Sequence, residues 1–296
     1  MRKINERYVS DYLQYLRIKG DKINSIQKCQ YLLNHYTRGL EKDLLAMTKE
    51  EVQLKLLEIM EKPLSIATYE GIKGYVKSLY YFLGYDASFI RTRRMPKQLD
   101  PSALLSEEEV IRMLKQTKHP RNRAIILLLW DTGIRTQELI TMQVSSVDLQ
   151  SYPPHISVNG KTGIRKIPIH SNTAEAISKY ISAEPRFDDG ALFVPYESWR
   201  TRKRLTADGV NKMLRETAAA AGINKKMSVY TFRHSVATRD AKYYTEPLMR
   251  AKFGWAKDSA MTSTYVHLSA RDLDEAMQLA DRRMPSNILF ISENNA

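Results

Sequence analysis

Cysteine is nearly absent from this 296-residue chain, Cys29 being the only one. That excludes an internal disulfide and any cysteine-cluster metal site, and Cys29 stands among apolar residues at helical spacing, where packing is its expected role. Long apolar runs are missing too. The longest, Ala124 to Trp130, stops at Asp131, well short of the roughly 18 residues a membrane span needs, and reads as a buried helix. The start, Met1-Arg-Lys-Ile-Asn-Glu-Arg7, lacks the apolar core of a secretion signal, so a soluble cytoplasmic protein with no membrane partner is expected. His35, His119, His155 and His170 show no metal-ligand spacing, and neither a metal nor a cofactor is expected. Acidic residues are in deficit, 33 against 46 Lys and Arg; the formal charge of +13 and a pI near 9.6 favour a polyanionic partner without naming one. There is no internal repeat, and only Ser292 to Ala296 reads as disordered.

What is present suits two helical regions. In the first, Tyr8, Tyr12, Leu13, Tyr15 and Leu16 recur at helical spacing up to Gly20, and Ile23, Ile26, Cys29, Tyr31, Leu32 and Leu33 repeat the pattern. Thr48 with Glu51 makes a capping box for a third helix that Pro63 ends, and a fourth runs from Ile66 to Leu83. Residues 1–90 therefore form a four-helix bundle. A basic stretch broken by proline, Arg91-Thr-Arg93-Arg94-Met-Pro96-Lys97, opens a linker over 91–103, and Arg93, Arg94 and Lys97 are candidate phosphate contacts against an equal case for a solvated linker.

The second region, 104–286, opens on the capping box Ser106-Glu-Glu-Glu109. His155-Ile-Ser-Val158 and Ile164-Arg-Lys-Ile167-Pro-Ile169 alternate around Asn-Gly-Lys161-Thr-Gly, a hairpin with Lys161 at its tip. Helices follow from Ala207 to Ala221, from Thr231 to Lys242, from Glu246, and from Ala270 to Arg283, before a tail over 287–296. The fold class is mainly α with one small antiparallel sheet. Within this region stand Thr132-Gly-Ile-Arg135-Thr-Gln-Glu138-Leu, Tyr230-Thr-Phe-Arg233-His234-Ser-Val-Ala-Thr238, Gly254-Trp255 and Met261-Thr-Ser-Thr-Tyr265-Val-His267. Gly133 ends one helix and Arg135 starts the next, which fixes that arginine on a rigid element near a positive helix end. Two arginines in ordered contexts and a tyrosine in a polar setting describe a site that grips a phosphodiester and attacks it with a phenol.

These blocks, in this order and with a helical bundle ahead of them, resemble the tyrosine recombinase family, which includes phage integrases and Xer proteins. The resemblance implies a core-binding bundle followed by a catalytic domain, and attack by Tyr265 on a DNA phosphodiester through a 3′-phosphotyrosyl intermediate that needs no cofactor. Arg135 and Arg233 would hold the phosphate oxygens, Lys161 would protonate the leaving 5′-oxygen, Glu138 would brace the site, and Trp255 would offer its indole N–H. Lys166 competes with Lys161 for the lysine role. Where most relatives carry histidine, this chain has Tyr230, as in some archaeal plasmid-type integrases. A phenol is a poor proton acceptor near neutrality, so Tyr230 is expected to keep the phosphate contact while water or His234 takes the proton of Tyr265. His267 has equal cases for packing and catalysis.

Double-stranded DNA is the expected partner, with Arg200, Arg202, Lys203 and Arg204 as backbone contacts beside the linker residues. The resemblance also implies a nucleoid-associated protein and a tetrameric synapse assembled on DNA, with the apolar run Ile288-Leu-Phe-Ile291 either joining protomers or packing on its own domain. The lack of an added arm-binding domain leans toward a simple Xer-like system, used for integration or excision of a mobile element or for resolution of DNA dimers. Relaxation of the type IB topoisomerase kind, or DNA binding by a degenerate site, would be the alternatives.

Overall fold

The computed structural model describes residues 3–93, 100–160, 163–183, 190–195, 203–257, 259 and 261–268. The chain divides into two compact units, Met1–Gln98 and Leu99–Ala296.

The first unit is built from α1 (Lys3–Ile18), α2 (Ile23–Thr37), α3 (Lys49–Met60) and α4 (Ile66–Phe82). The capping box that opens α3 is complete: Glu51 N donates to Thr48 Oγ1 at 3.3 Å and Thr48 N donates to Glu51 Oε2 at 2.8 Å. Leu33, Leu44, Ile59, Ile72, Val76 and Leu79 are wholly buried together with Cys29. Each large aliphatic side chain so placed contributes about 2 kcal/mol of apolar burial. Polar groups enter this core in satisfied pairs. Asn5 donates Nδ2 to Lys42 O at 2.9 Å and accepts from Leu44 N at 3.0 Å, which ties the 38–44 segment to α1.

The second unit centres on α6 (Pro120–Thr132), packed between α8 (Ser171–Ala183) and α10 (Val229–Asp240). Pro120 sits at its first turn, where a missing N–H costs nothing, and His119 Nδ1 accepts from Arg121 N at 3.1 Å. Around it stand α5 (Glu107–Gln116), α7 (Thr136–Thr141), α9 (Ala207–Ala220), α11 (Glu246–Phe253) and α12 (Met261–Leu268). The sheet runs β1 (Val147–Asp148), β2 (His155–Gly160), β3 (Gly163–Pro168) in that order, all antiparallel, with Ile156 opposite Ile167 and Val158 opposite Arg165.

Three elements go beyond the sequence reading. β1 is a two-residue strand defined only by its pairing with β2, so it leaves no local pattern. α8 spreads its buried face over the small side chains Thr173 and Ala176 as well as Ile177 and Tyr180, which weakens the apolar period. α12 contains Thr262, Thr264 and Val266, β-branched residues with poor helix propensity, and is held by packing on α10 and α11. α10 also begins two residues before the expected Thr231, because Ser228 is the residue that caps it, accepting from Thr231 N at 3.2 Å. The helix expected from Ala270 to Arg283 and the tail with Ile288 to Ile291 lie outside the described residues. Among the described residues, no helix is long and apolar enough to cross a membrane.

Candidate active site

α6 and α11 both end on a glycine with left-handed backbone, Gly133 and Gly254, each with φ of 58°. Only glycine fits the first position, since a Cβ there would lie 2.8 Å from the Phe253 ring. These two helix ends present unpaired carbonyls and the negative poles of their dipoles to one place, and arginines fill it.

Arg233, one turn into α10 and only 5% exposed, donates Nη1 to Gly133 O and Nη2 to Phe253 O, both at 2.8 Å. Its guanidinium lies 5.2 Å from the centre of the Phe253 ring and 5.9 Å from that of Trp255. Burial, and after it the charge of Arg135, pull its pKa down to about 10, which still leaves it charged at neutral pH. Arg135 caps α7 and donates Nη2 to Gly254 O and Nη1 to Glu138 Oε1, each at 3.0 Å, while its side chain keeps 27% of its surface open. Glu138 is buried. Burial would raise its pKa, but hydrogen bonds from Arg165 and from the Arg135 backbone outweigh that and hold the carboxyl at about 2.

Tyr265 departs from the polar setting read in the sequence. It is fully buried on α12, its ring stacked on Trp255 at 5.3 Å and nearly parallel, and Trp255 stacks in turn on Phe253 at 4.9 Å. The physical reason is the helix: with α12 packed on α10 and α11, the ring is turned into a small aromatic cluster with Val236, Ala237 and Met249. Its hydroxyl lies 2.5 Å from His234 Nδ1. Burial pushes the phenol up to about 12, against the lowering charge of Arg233. Tyr230 precedes His234 by one helical turn, with ring centres 5.8 Å apart, and is 52% exposed.

Arg135, Glu138, Arg233, His234, Trp255 and Tyr265 are thus brought together, with Tyr230 at the rim. Lys161 lies outside the described residues, as do Arg94, Lys97, Arg200, Arg202 and the side chain of His267. Lys166 is exposed, alternates with Arg165 along β3, and lines a depression with Asp131, His170, Tyr244 and Leu248. Arg93 and Lys203 are exposed, and Arg204 donates to Thr141 O at 2.9 Å, closing the end of α7. One residue of the cluster escaped the sequence reading. Arg165 grips Glu138 with both Nη atoms, at 2.8 and 2.9 Å. Its signal was the alternation of β3, which puts it on the same face as the buried Ile167, a costly place for an arginine without a partner.

The model of the phage integrase family matches residues 103–272, the stretch that carries every residue of this cluster. The chain belongs to that family. It is a tyrosine recombinase, an enzyme that breaks and rejoins DNA strands. Among its relatives, tyrosine recombinase XerA of Pyrococcus furiosus is 26% identical over 94% of this chain and 95% of its own length. XerD of Oceanobacillus iheyensis is 28% identical over 92% and 97%. In fold, the recombinase is similar to XerH bound to a palindromic difH substrate in a post-cleavage complex, with a TM-score of 0.68 and 17% identity over 93% and 95% of the two chains. It is also similar to a lambda integrase dimer bound to a COC′ core site, with a TM-score of 0.68 and 16% identity over 90% and 95%.

Proposed function

We propose that this recombinase cuts DNA by direct attack of the Tyr265 phenol on a phosphodiester, with Arg135 and Arg233 on the phosphate oxygens and His234 as the proton acceptor. The observation that carries the reading is the contact of Tyr265 Oη with His234 Nδ1, 2.5 Å, beside a guanidinium under Trp255. Burial holds the phenol well above its ordinary pKa, so at neutral pH the hydroxyl keeps its proton until a base takes it. A base in contact that takes the proton as the O–P bond forms meets that need. For this the imidazole carries its proton on Nε2 and leaves Nδ1 open. The new bond joins Tyr265 Oη to phosphorus and the P–O5′ bond breaks; Lys161, by the family's pattern, supplies the proton to the departing 5′-oxygen. Two guanidinium groups meet the charge that develops on the pentacoordinate phosphorus. Both faces of the Trp255 ring are covered, which leaves its N–H edge as the side for the phosphate, and exposed Tyr230 adds a hydroxyl donor.

The partner is double-stranded DNA, the neighbours of similar fold being recombinases bound to their DNA sites, and exchange between two duplexes breaks four strands, one phenol for each, which calls for four copies of the chain in one synapse. The basic residues at Arg93, Arg94 and Lys97 and at Arg200 to Arg204 serve its backbone. Incubation with a nicked duplex tests the reading. Wild-type protein should become covalently joined to a 3′-end and the Tyr265→Phe protein should not; adduct formed by Tyr265→Phe, or none formed by wild type, overturns it. Sequencing of the joined products then tells integration from dimer resolution.

A further inference from the structure

Arg165 belongs to none of the motifs above, yet each of its three side-chain nitrogens makes a hydrogen bond. Nε donates to Lys252 O at 2.9 Å, and Nη1 and Nη2 take the two oxygens of Glu138. With 12% of its side chain exposed and each of its three nitrogens already bonded to protein, it is placed to hold Glu138 rather than a ligand. Space for it is made by two glycines: a Cβ on Gly160 would fall 2.8 Å from its Nη1, and one on Gly254 would fall 2.9 Å from the same atom.

The stoichiometry at Glu138 shows what this arrangement does. Oε1 receives Arg135 Nη1 and Arg165 Nη1; Oε2 receives Arg165 Nη2 and the backbone N of Arg135. These bonds fill the acceptor capacity of a carboxylate. Arg135 is thereby left with a single side-chain bond to Glu138, in place of the paired fork that two free oxygens would offer it. Three guanidinium groups then stand against one carboxylate, a surplus of positive charge for a phosphodiester and the further charge it acquires on attack.

We propose that Arg165 is a positioning residue that takes up the charge of Glu138, so that Arg135 presents its guanidinium to the phosphate; this rests on the phosphotyrosyl reading above. It also pins β3, the strand that follows Lys161, to the end of α11. The test is a double-mutant comparison. Arg165→Met should slow single-turnover cleavage of a nicked duplex by about 100-fold, with affinity for the duplex, measured on a Tyr265→Phe background, changed by less than about threefold. Adding Glu138→Gln removes the uncompensated charge and should restore about tenfold in rate and raise the melting temperature of Arg165→Met. Failure of Glu138→Gln to restore either quantity, or a loss confined to duplex affinity, overturns the proposal. If wild-type protein forms no covalent complex, the phosphotyrosyl reading has failed, and the melting temperatures alone decide whether Arg165 and Glu138 are coupled.

Discussion

Among the described residues of the first unit, the fully buried polar ones outside the aromatic set are Asn5 and Thr37, both neutral, whereas the described part of the second unit buries Arg121, Asp131, Glu138, Arg233 and Asp240. Removing an ion from water costs several kcal/mol even after relaxation, so a bundle whose interior holds no reacting group has no reason to do it. The second unit places most of these charges around one spot. Glu138 and Arg233 are in the site. Asp240 pairs with Lys252, whose Nζ lies 2.7 Å from Asp240 Oδ2 and whose own carbonyl holds Arg165, while Asp131 touches that lysine through its backbone carbonyl at 2.9 Å and turns its carboxylate to His170 N at 2.7 Å. Arg121 stands apart, donating to Val194 O at 2.9 Å as an ordinary structural anchor. Buried charge thus gathers at the candidate site, and the bundle supplies the control.

The sharpest way to break that contrast is Arg233→Lys, which keeps the charge and removes the fork. A single ammonium nitrogen cannot span the carbonyls of Gly133 and Phe253 as Nη1 and Nη2 do, so it should drift toward one of them. Cleavage of a nicked duplex should fall by about 1,000-fold, with a lower melting temperature because one helix-end carbonyl loses its donor. A rate within a few-fold of wild type would mean that charge alone, wherever it sits, is sufficient.

Acid separates the two units next. Glu138 has a folded pKa near 2, depressed from its ordinary 4.5, so its contribution to stability is fully present above pH 4.5 and is lost as pH falls toward 2. The contribution is about 3 kcal/mol at most. All three tryptophans, Trp130, Trp199 and Trp255, lie in the second unit, so tryptophan fluorescence reports that unit alone while far-ultraviolet circular dichroism reports both. In denaturant titrations at pH 3 and pH 7, the fluorescence midpoint should drop by more than the circular-dichroism midpoint, and Glu138→Gln should narrow the gap. Equal shifts would show that the buried carboxylate carries no special share of acid sensitivity.

The same contrast explains what could be read from the chain. Capping boxes at Thr48 and Ser106, the glycine after α6 and the 155–168 hairpin are local devices, set by residues within a few positions of one another, and they form as expected. Arg135, Arg233 and Tyr265 were found because their flanking residues form recognisable strings, and the structure places them around one spot. The burial of Tyr265 was not legible, since it depends on Trp255 and His234, which reach it from the turn after α11 and from α10. Nor was the role of Arg165: its meaning lies in Glu138 and Lys252, both distant in sequence, and alternation in β3 says only that it faces inward.

Tyr36→Phe should have the smallest effect and tests the control itself. The Tyr36 and Tyr80 hydroxyls are 3.1 Å apart in the bundle core, and Tyr80 donates onward to Leu44 O at 3.2 Å, so Tyr36 is the donor to Tyr80. Deleting the Tyr36 oxygen removes that donor but leaves the Tyr80–Leu44 bond and the ring packing in place, so no buried group loses an obligatory partner. The loss should be about 1 kcal/mol, the net worth of a neutral hydrogen bond. It should appear in the circular-dichroism midpoint and leave the fluorescence midpoint and the cleavage rate unmoved. A loss several times larger would mean that the neutral core is as finely balanced as the charged one, and that buried charge is no guide to where this recombinase does its work.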